Sequence, residues 1–285
     1  MNIGVRWACV LLLGSSYVFS QATSAAFDGV EKWKAALTGA SIKSLMNLYS
    51  TVPPAKFMQS DKKLGPDIAP ETDFWQEQIS SGVMSGFEVT QVKEEDQQGL
   101  HIVTLLVTMK AKTANGLRTR YVTENQAWQK QSDGWRIVVA RHSDVVKMPP
   151  ALNPNPNLYD KDADAGIEIK EAEAKAKKAH ERILLVFGAN WCYDCHVLDR
   201  AFHQPDVAAL LKGNFQVVHV DIGEDGKKNN NVAAEYHVPL DKGVPALAVL
   251  DANGKLLYSQ ENGEWESARS MDPDDVIKFL EKWKP

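Results

Sequence analysis

Residues 148–157 (MPPALNPNPN) place four prolines and three asparagines in ten positions. Proline has no amide donor and a fixed φ, and asparagine favours turns, so the stretch can be neither helix nor central strand. It cuts the chain of 285 residues in two, and each side has its own grammar. Upstream, Trp33 and Leu37, then Ile42, Leu45, Met46 and Tyr49, fall at helical spacing. Glycine, proline and polar residues interrupt that pattern until about Ser81. Four strand-like stretches follow (GFEVTQV, LHIVTLLVTM, LRTRYVTENQAWQ and WRIVVARHSDVV), with Asn115-Gly116 and Asp133-Gly134 as hairpin dipeptides. Helices followed by an antiparallel meander predict an α+β domain over 27–147, with the helices covering one face of a curved sheet.

Beyond the proline-rich linker, taken as 148–158, residues 159–285 alternate. A helix (IEIKEAEAKAKKAHE) precedes a strand (RILLVFG), a helix after two cysteines, a strand (FQVVHVDI) and a helix (NVAAEYHV). Two strands (ALAVL, KLLYSQ) joined by Asp251-Ala252-Asn253-Gly254 lead to a last helix capped by Asp272 with Pro273 in its first turn. This pattern predicts an α/β domain with a mixed sheet covered on both faces.

The first 26 residues read as an address. Arg6 precedes an apolar run over 7–19 (WACVLLLGSSYVF) and small and polar residues over 20–26 (SQATSAA), the order of a secretory signal cut after Ala22 or near Ala26. An uncleaved anchor would need a longer run, about 20 apolar residues. The expectation is an exported protein, periplasmic or secreted, with no membrane span after cleavage. The net charge of −5 removes the electrostatic basis for unspecific binding to nucleic acid or an anionic membrane. Of three cysteines, Cys9 leaves with the signal, so Cys192 and Cys195 remain. Two thiols three apart in an oxidising compartment either hold a local disulfide or cycle it.

The segment RILLVFGANWCYDCHVLDRAF runs from a strand through a short loop into residues Leu198, Ala201 and Phe202 at helical spacing, so the cysteines open a helix. At i and i+3 their sulfurs lie about one turn apart on one face. The helix N-terminus, with its unpaired N–H groups, favours the thiolate of Cys192, the natural nucleophile. Cys195, one turn deeper, resolves the mixed disulfide. A carboxylate at Asp194 opposes ionisation of the pair, which points toward a reductant, whereas protonated His196 pulls the other way.

That strand, the WCYDC string, and Gly243-Val244-Pro245-Ala246 ahead of a later strand resemble the thioredoxin superfamily, and more narrowly its exported thioredoxin-like proteins with an FGANWC-type active site. The resemblance covers about 159–285. It implies a thioredoxin fold and dithiol–disulfide exchange without cofactor or metal: Cys192 attacks, Cys195 resolves, and the two form the redox-active disulfide. Trp191 packs beside the pair, Pro245 is a cis-proline facing it, and Val244 offers its backbone to an extended substrate. The implied partners are protein thiol or disulfide substrates and an upstream electron donor. The sequence departs from the family where many members carry a buried aspartate: Val186 stands there, and His219 stands about where a partnering lysine would be.

CYDCH is also the string of c-type haem attachment, with His196 as an axial ligand. The strand before it and the Gly-Val-Pro after it belong to the thioredoxin reading and not to haem. Two thiolates without flanking ligands make a poor zinc site. A thioredoxin fold with a permanent disulfide, serving as a non-enzymatic binding module, is the competing class. Over 27–147 the helical opening and the meander ending in DGWRIVVARHSDV resemble the cone-shaped SnoaL-like, nuclear-transport-factor-two-like fold. Arg120, Tyr121, Arg141, His142 and Asp144 are candidate pocket residues there, or plain strand-face residues. The layout parallels exported disulfide isomerases, in which an N-terminal domain dimerises two thioredoxin domains. A homodimer through the first domain follows from that analogy.

Overall fold

The computed structural model describes residues 27–285 apart from Ser60 and Asn115. The expected signal, with Cys9 inside it, lies outside the described residues. In the first domain, α1 (Asp28–Thr38) and α2 (Ile42–Met46) are followed by β1 (Lys56–Phe57), α3 (Ala69–Ser80) and four long strands, β2 (Met84–Gln97), β3 (Leu100–Thr113), β4 (Gly116–Gln131) and β5 (Gly134–His142). The sheet order is β1-β5-β4-β3-β2, with β2 to β5 an antiparallel meander and β1 parallel to β5. Register shifts at Ser85/Glu88, Gln91/Lys93 and Ala127/Trp128 are bulges, which bend strands and increase twist. The concave face closes over Trp33, Leu37, Leu45, Trp75, Trp128 and Ile137. Gly134 takes φ +124 in the β4–β5 turn as the Asp133-Gly134 pair predicts, and Gly116 takes φ +90. Asn115 lies outside the described residues.

The second domain holds α4 (Ala165–Ala179), β6 (Arg182–Gly188), α5 (Tyr193–Phe202), α6 (Pro205–Leu211), β7 (Phe215–Asp221), α7 (Asn230–Glu235), β8 (Ala246–Leu250), β9 (Leu256–Ser259) and α8 (Pro273–Trp283). The sheet runs β7-β6-β8-β9; β6 is parallel to β7 and antiparallel to β8, so it is mixed. Side chains alternate across a strand, and β6 shows what that does when both faces are covered. Ile183, Leu185 and Phe187 pack toward α4 and α7, whereas Leu184 and Val186 pack toward α5, α6 and α8. A continuous apolar run is therefore the only sequence this central strand tolerates.

The proline-rich stretch carries no helix or strand. It is not slack chain, because Met148 and Ala151 are buried in the second domain's core beside Val197, Leu198 and Val276. Two ion pairs tie the domains together: Arg118 to Asp274 at 2.9 Å and Lys147 to Asp272 at 3.5 Å. Among the described residues no helix is long and apolar enough to cross a membrane.

Candidate functional site: a disulfide at a helix mouth

β6 ends at Gly188, the loop turns through Asn190 and Trp191, and α5 begins at Tyr193. Cys192 is the N-cap, with extended backbone (φ −82, ψ 106). A cap is the residue whose side chain can satisfy an otherwise unpaired helix amide. Here the acceptor is sulfur: the Cys195 N–H donates to the Cys192 Sγ at 3.1 Å. The same two residues form a disulfide, with Cα atoms 5.3 Å apart. Cys195 is the deeper partner at 1% exposure, against 5% for Cys192.

Across the site, the peptide bond between Val244 and Pro245 is cis, and the Val244 carbonyl oxygen lies 3.5 Å from the Cys192 Sγ. Cys192, Cys195, Val244 and Pro245 are thus brought together. Trp191 stands differently. It is half exposed, with its indole N–H donated to the Gly223 carbonyl at 3.0 Å, so its ring extends the rim of the site.

The charges around the pair depart from what the sequence suggests. Asp194 is not a bare carboxylate: it is buried, accepts the Arg269 N–H at 2.8 Å, and is gripped by the Arg269 guanidinium through Nε at 2.9 Å and through Nη2. That guanidinium also lies over the Tyr193 ring, 4.9 Å from its centre. The negative charge that pointed toward a reductant is therefore paired. His196 is buried too, with Nε2 2.8 Å from the Asn190 carbonyl oxygen; the nitrogen that a haem iron would need is engaged within the loop.

Two residues near the pair are not marked by any sequence pattern, Arg269, which lies 75 positions from Asp194, and Tyr159, whereas Asn190 stands inside the FGANWC string. Asn190 clamps the chain arriving from the first domain, its Oδ1 accepting the Tyr159 N–H at 2.9 Å and its Nδ2 donating to the Tyr159 carbonyl at 2.8 Å. Tyr159 thereby joins Cys192 and Cys195 in one small buried cluster. No local pattern announces it, because contacts across that distance leave no periodicity. Val186 lies in the apolar core, and His219 meets the Tyr159 ring edge-on at 5.3 Å. Burial lowers the pKa of His219, which keeps it neutral near pH 7.

The candidate pocket residues of the first domain divide between two places. Arg120 and Tyr121 line a cleft of about 340 Å³ against Asp206 and Asp272 of the second domain, whereas Arg141, His142 and Asp144 line a separate open groove with Phe57 and Asp61. Among the described residues, no group of three or more His, Cys, Asp or Glu side chains is placed to hold a metal.

A cysteine pair closed across the first turn of a helix, at one end of a mixed sheet covered by helices, defines a dithiol–disulfide site on an α/β domain of thioredoxin type. Residues 164–252 match the family model described as thioredoxin-like, and through this domain the chain belongs to that family. A solved structure from Xylella fastidiosa Temecula1, described as a disulphide isomerase, is similar at 38% identity over 46% of this chain and 98% of that one, with a TM-score of 0.42. The first domain is similar to an NTF2-like protein from Cytophaga hutchinsonii ATCC 33406 (15% identity, 41% of this chain and 92% of that one, TM-score 0.30). It is also similar to a protein of the NTF2-like family from Streptomyces avermitilis (10% identity, 40% and 90%, TM-score 0.32). No curated protein matches the chain.

Proposed function

We propose that the protein is an exported protein-disulfide oxidoreductase that works as a reductase, with Cys192 as attacking thiol and Cys195 as resolving thiol. One observation carries the exchange chemistry, with the direction left to the titration below: the Cys192 sulfur caps α5 and receives the Cys195 N–H. An amide and a helix N-terminus aimed at sulfur stabilise the thiolate, which is the reactive form. The Val244 carbonyl beside that sulfur offers backbone pairing to an extended substrate. In the reduced protein the Cys192 thiolate attacks a substrate disulfide and forms a mixed disulfide, releasing one substrate thiolate. The Cys195 thiolate then attacks the Cys192 sulfur and frees the second. An upstream dithiol donor reopens the pair.

The expected outcome is turnover in insulin reduction that is abolished by Cys192→Ser, and a stable mixed disulfide with substrate protein in Cys195→Ser. A glutathione titration fixes the direction. A potential of about −270 mV suits a reductase, and one of about −120 mV would replace it with an oxidant. Reshuffling of a scrambled substrate without net reduction would make the protein an isomerase. An intact fold with no exchange at all would leave only a binding module.

A further inference from the structure

Tyr159 is 1% exposed, and its hydroxyl has no hydrogen-bond partner among the described residues. Leaving a buried polar group unpaired is costly, and folded proteins seldom do it. The ring is not loosely held: both backbone polar groups of Tyr159 are clamped by Asn190 and His219 packs against the ring. The hydroxyl is thus positioned, in the same small buried cluster as the Cys192 and Cys195 sulfurs. A methyl group placed on Gly188 would collide with both the Tyr159 hydroxyl and the Cys195 Sγ. Oxygen and sulfur flank the same spot, and only glycine fits between them. Sulfur in a disulfide is a weak acceptor, whereas a thiolate is a strong one.

Resting on the exchange chemistry proposed above, we propose that the Tyr159 hydroxyl is the hydrogen-bond donor to the Cys195 sulfur once the disulfide opens. When a donor thiolate attacks the Cys192 sulfur, a new sulfur–sulfur bond forms and the Cys192–Cys195 bond breaks. The electron pair leaves on the Cys195 Sγ, which accepts the Tyr159 O–H. The donor's second thiolate then attacks the donor sulfur of the mixed disulfide. Cys192 leaves as thiolate, the donor becomes a disulfide, and two electrons have entered the pair. In the substrate half-reaction the same hydrogen bond holds Cys195 as the thiolate that resolves the mixed disulfide. Tyr159 keeps its own proton throughout. Burial first, then the charges of Asp199 and Asp221, push its phenol far up, and His219, the other titratable group against the ring, is kept neutral by burial. The site thereby has a fixed donor beneath Cys195, whereas Val186 puts no titratable group in the strand before the cysteines.

Tyr159→Phe in the full chain is the test, since it deletes one oxygen and keeps the ring. The expected result is a shift of the exchange equilibrium with glutathione toward the disulfide by roughly tenfold, about 30 mV for a two-electron couple. Reduction by dithiothreitol slows by a similar factor. In a Cys192→Ser background, the alkylation profile of Cys195 moves to higher pH. As an independent readout, the ring resonances of Tyr159 in the unmodified protein shift when the disulfide is reduced. An unchanged equilibrium constant and an unchanged Cys195 profile would overturn the proposal and leave Tyr159 as packing, as would ring resonances indifferent to redox state. If the unmodified protein failed to exchange with glutathione, the oxidoreductase reading itself would fall. Equal exchange in both proteins removes only the role of Tyr159.

Discussion

At the scale of single residues, the pairing of Asp194 with Arg269 governs how far a charge beside the cysteines is felt. A carboxylate in the first turn of a helix is well placed toward the dipole, yet it lies next to the sulfur that must become anionic. Arg269 resolves the conflict with a guanidinium fork and a backbone amide, and it does so from the short turn Ala268–Ser270 rather than from α5. Arg269→Gln strips the positive charge while keeping a donor. The expected outcome is slower alkylation of Cys192 at neutral pH and a pH profile displaced upward, because the remaining carboxylate opposes the thiolate. Stability to urea falls by about 1–3 kcal/mol, the cost of a buried acceptor left short of partners. Adding Asp194→Asn to that variant restores the profile. A profile that ignores both substitutions would show that the helix terminus alone sets the reactivity.

At the scale of elements, α3 and β4 meet through two wholly buried carboxyl groups, Glu71 and Glu124. Glu71 accepts the Trp75 indole N–H at 2.6 Å and faces the Nδ1 of His142 at 2.7 Å, while Glu124 accepts from Gln126 at 3.1 Å. Burial, and then the Glu71 charge, hold the Glu124 carboxyl well above its ordinary value of 4.5. In the unfolded chain Glu124 gives up its proton near 4.5, whereas the folded chain keeps it, so the folded state binds more protons and stability declines as pH rises above that value. Glu124→Gln, a neutral side chain that still donates, is expected to raise the denaturation midpoint at pH 8 more than at pH 5. Equal midpoints at both pH values would mean that Glu124 is ionised in the folded state. The same contact explains why α3 was not legible in the sequence. Its buried residues are Glu71, Trp75 and Gln78, two of them polar, so no apolar period exists to be read. Strands β6 and β8 were legible because both faces are buried along 183–187 and Ala246–Leu250, where every position is apolar. The pairing of Cys192 with Cys195 was legible through local spacing. Arg269 and Tyr159 were not, since each reaches the pair by tertiary packing.

At the scale of the whole molecule, the two domains are joined by more than a covalent tether. The ion pairs from Arg118 and Lys147 are part-exposed, and such pairs contribute at most about 1 kcal/mol each. Apolar burial contributes more: Met148 is 1% exposed and Ala151 4% exposed, both inside the core that α5 and α8 build. The prolines that exclude helix and strand here leave the chain to cross the second domain through bends and turns until Tyr159 joins the buried cluster of the disulfide. The second domain therefore includes the stretch that divides the chain in sequence. A fragment spanning 159–285 lacks the Met148 side chain, and removing a buried side chain of that size costs about 2–5 kcal/mol through lost burial and the cavity left behind. A fragment spanning 148–285 keeps it. The longer fragment is expected to unfold at higher urea concentration and to exchange with glutathione as the full chain does. In the shorter one, where Tyr159 becomes a free chain end, the equilibrium moves toward the disulfide. Equal urea midpoints for the two fragments would return 148–158 to the role of a passive spacer.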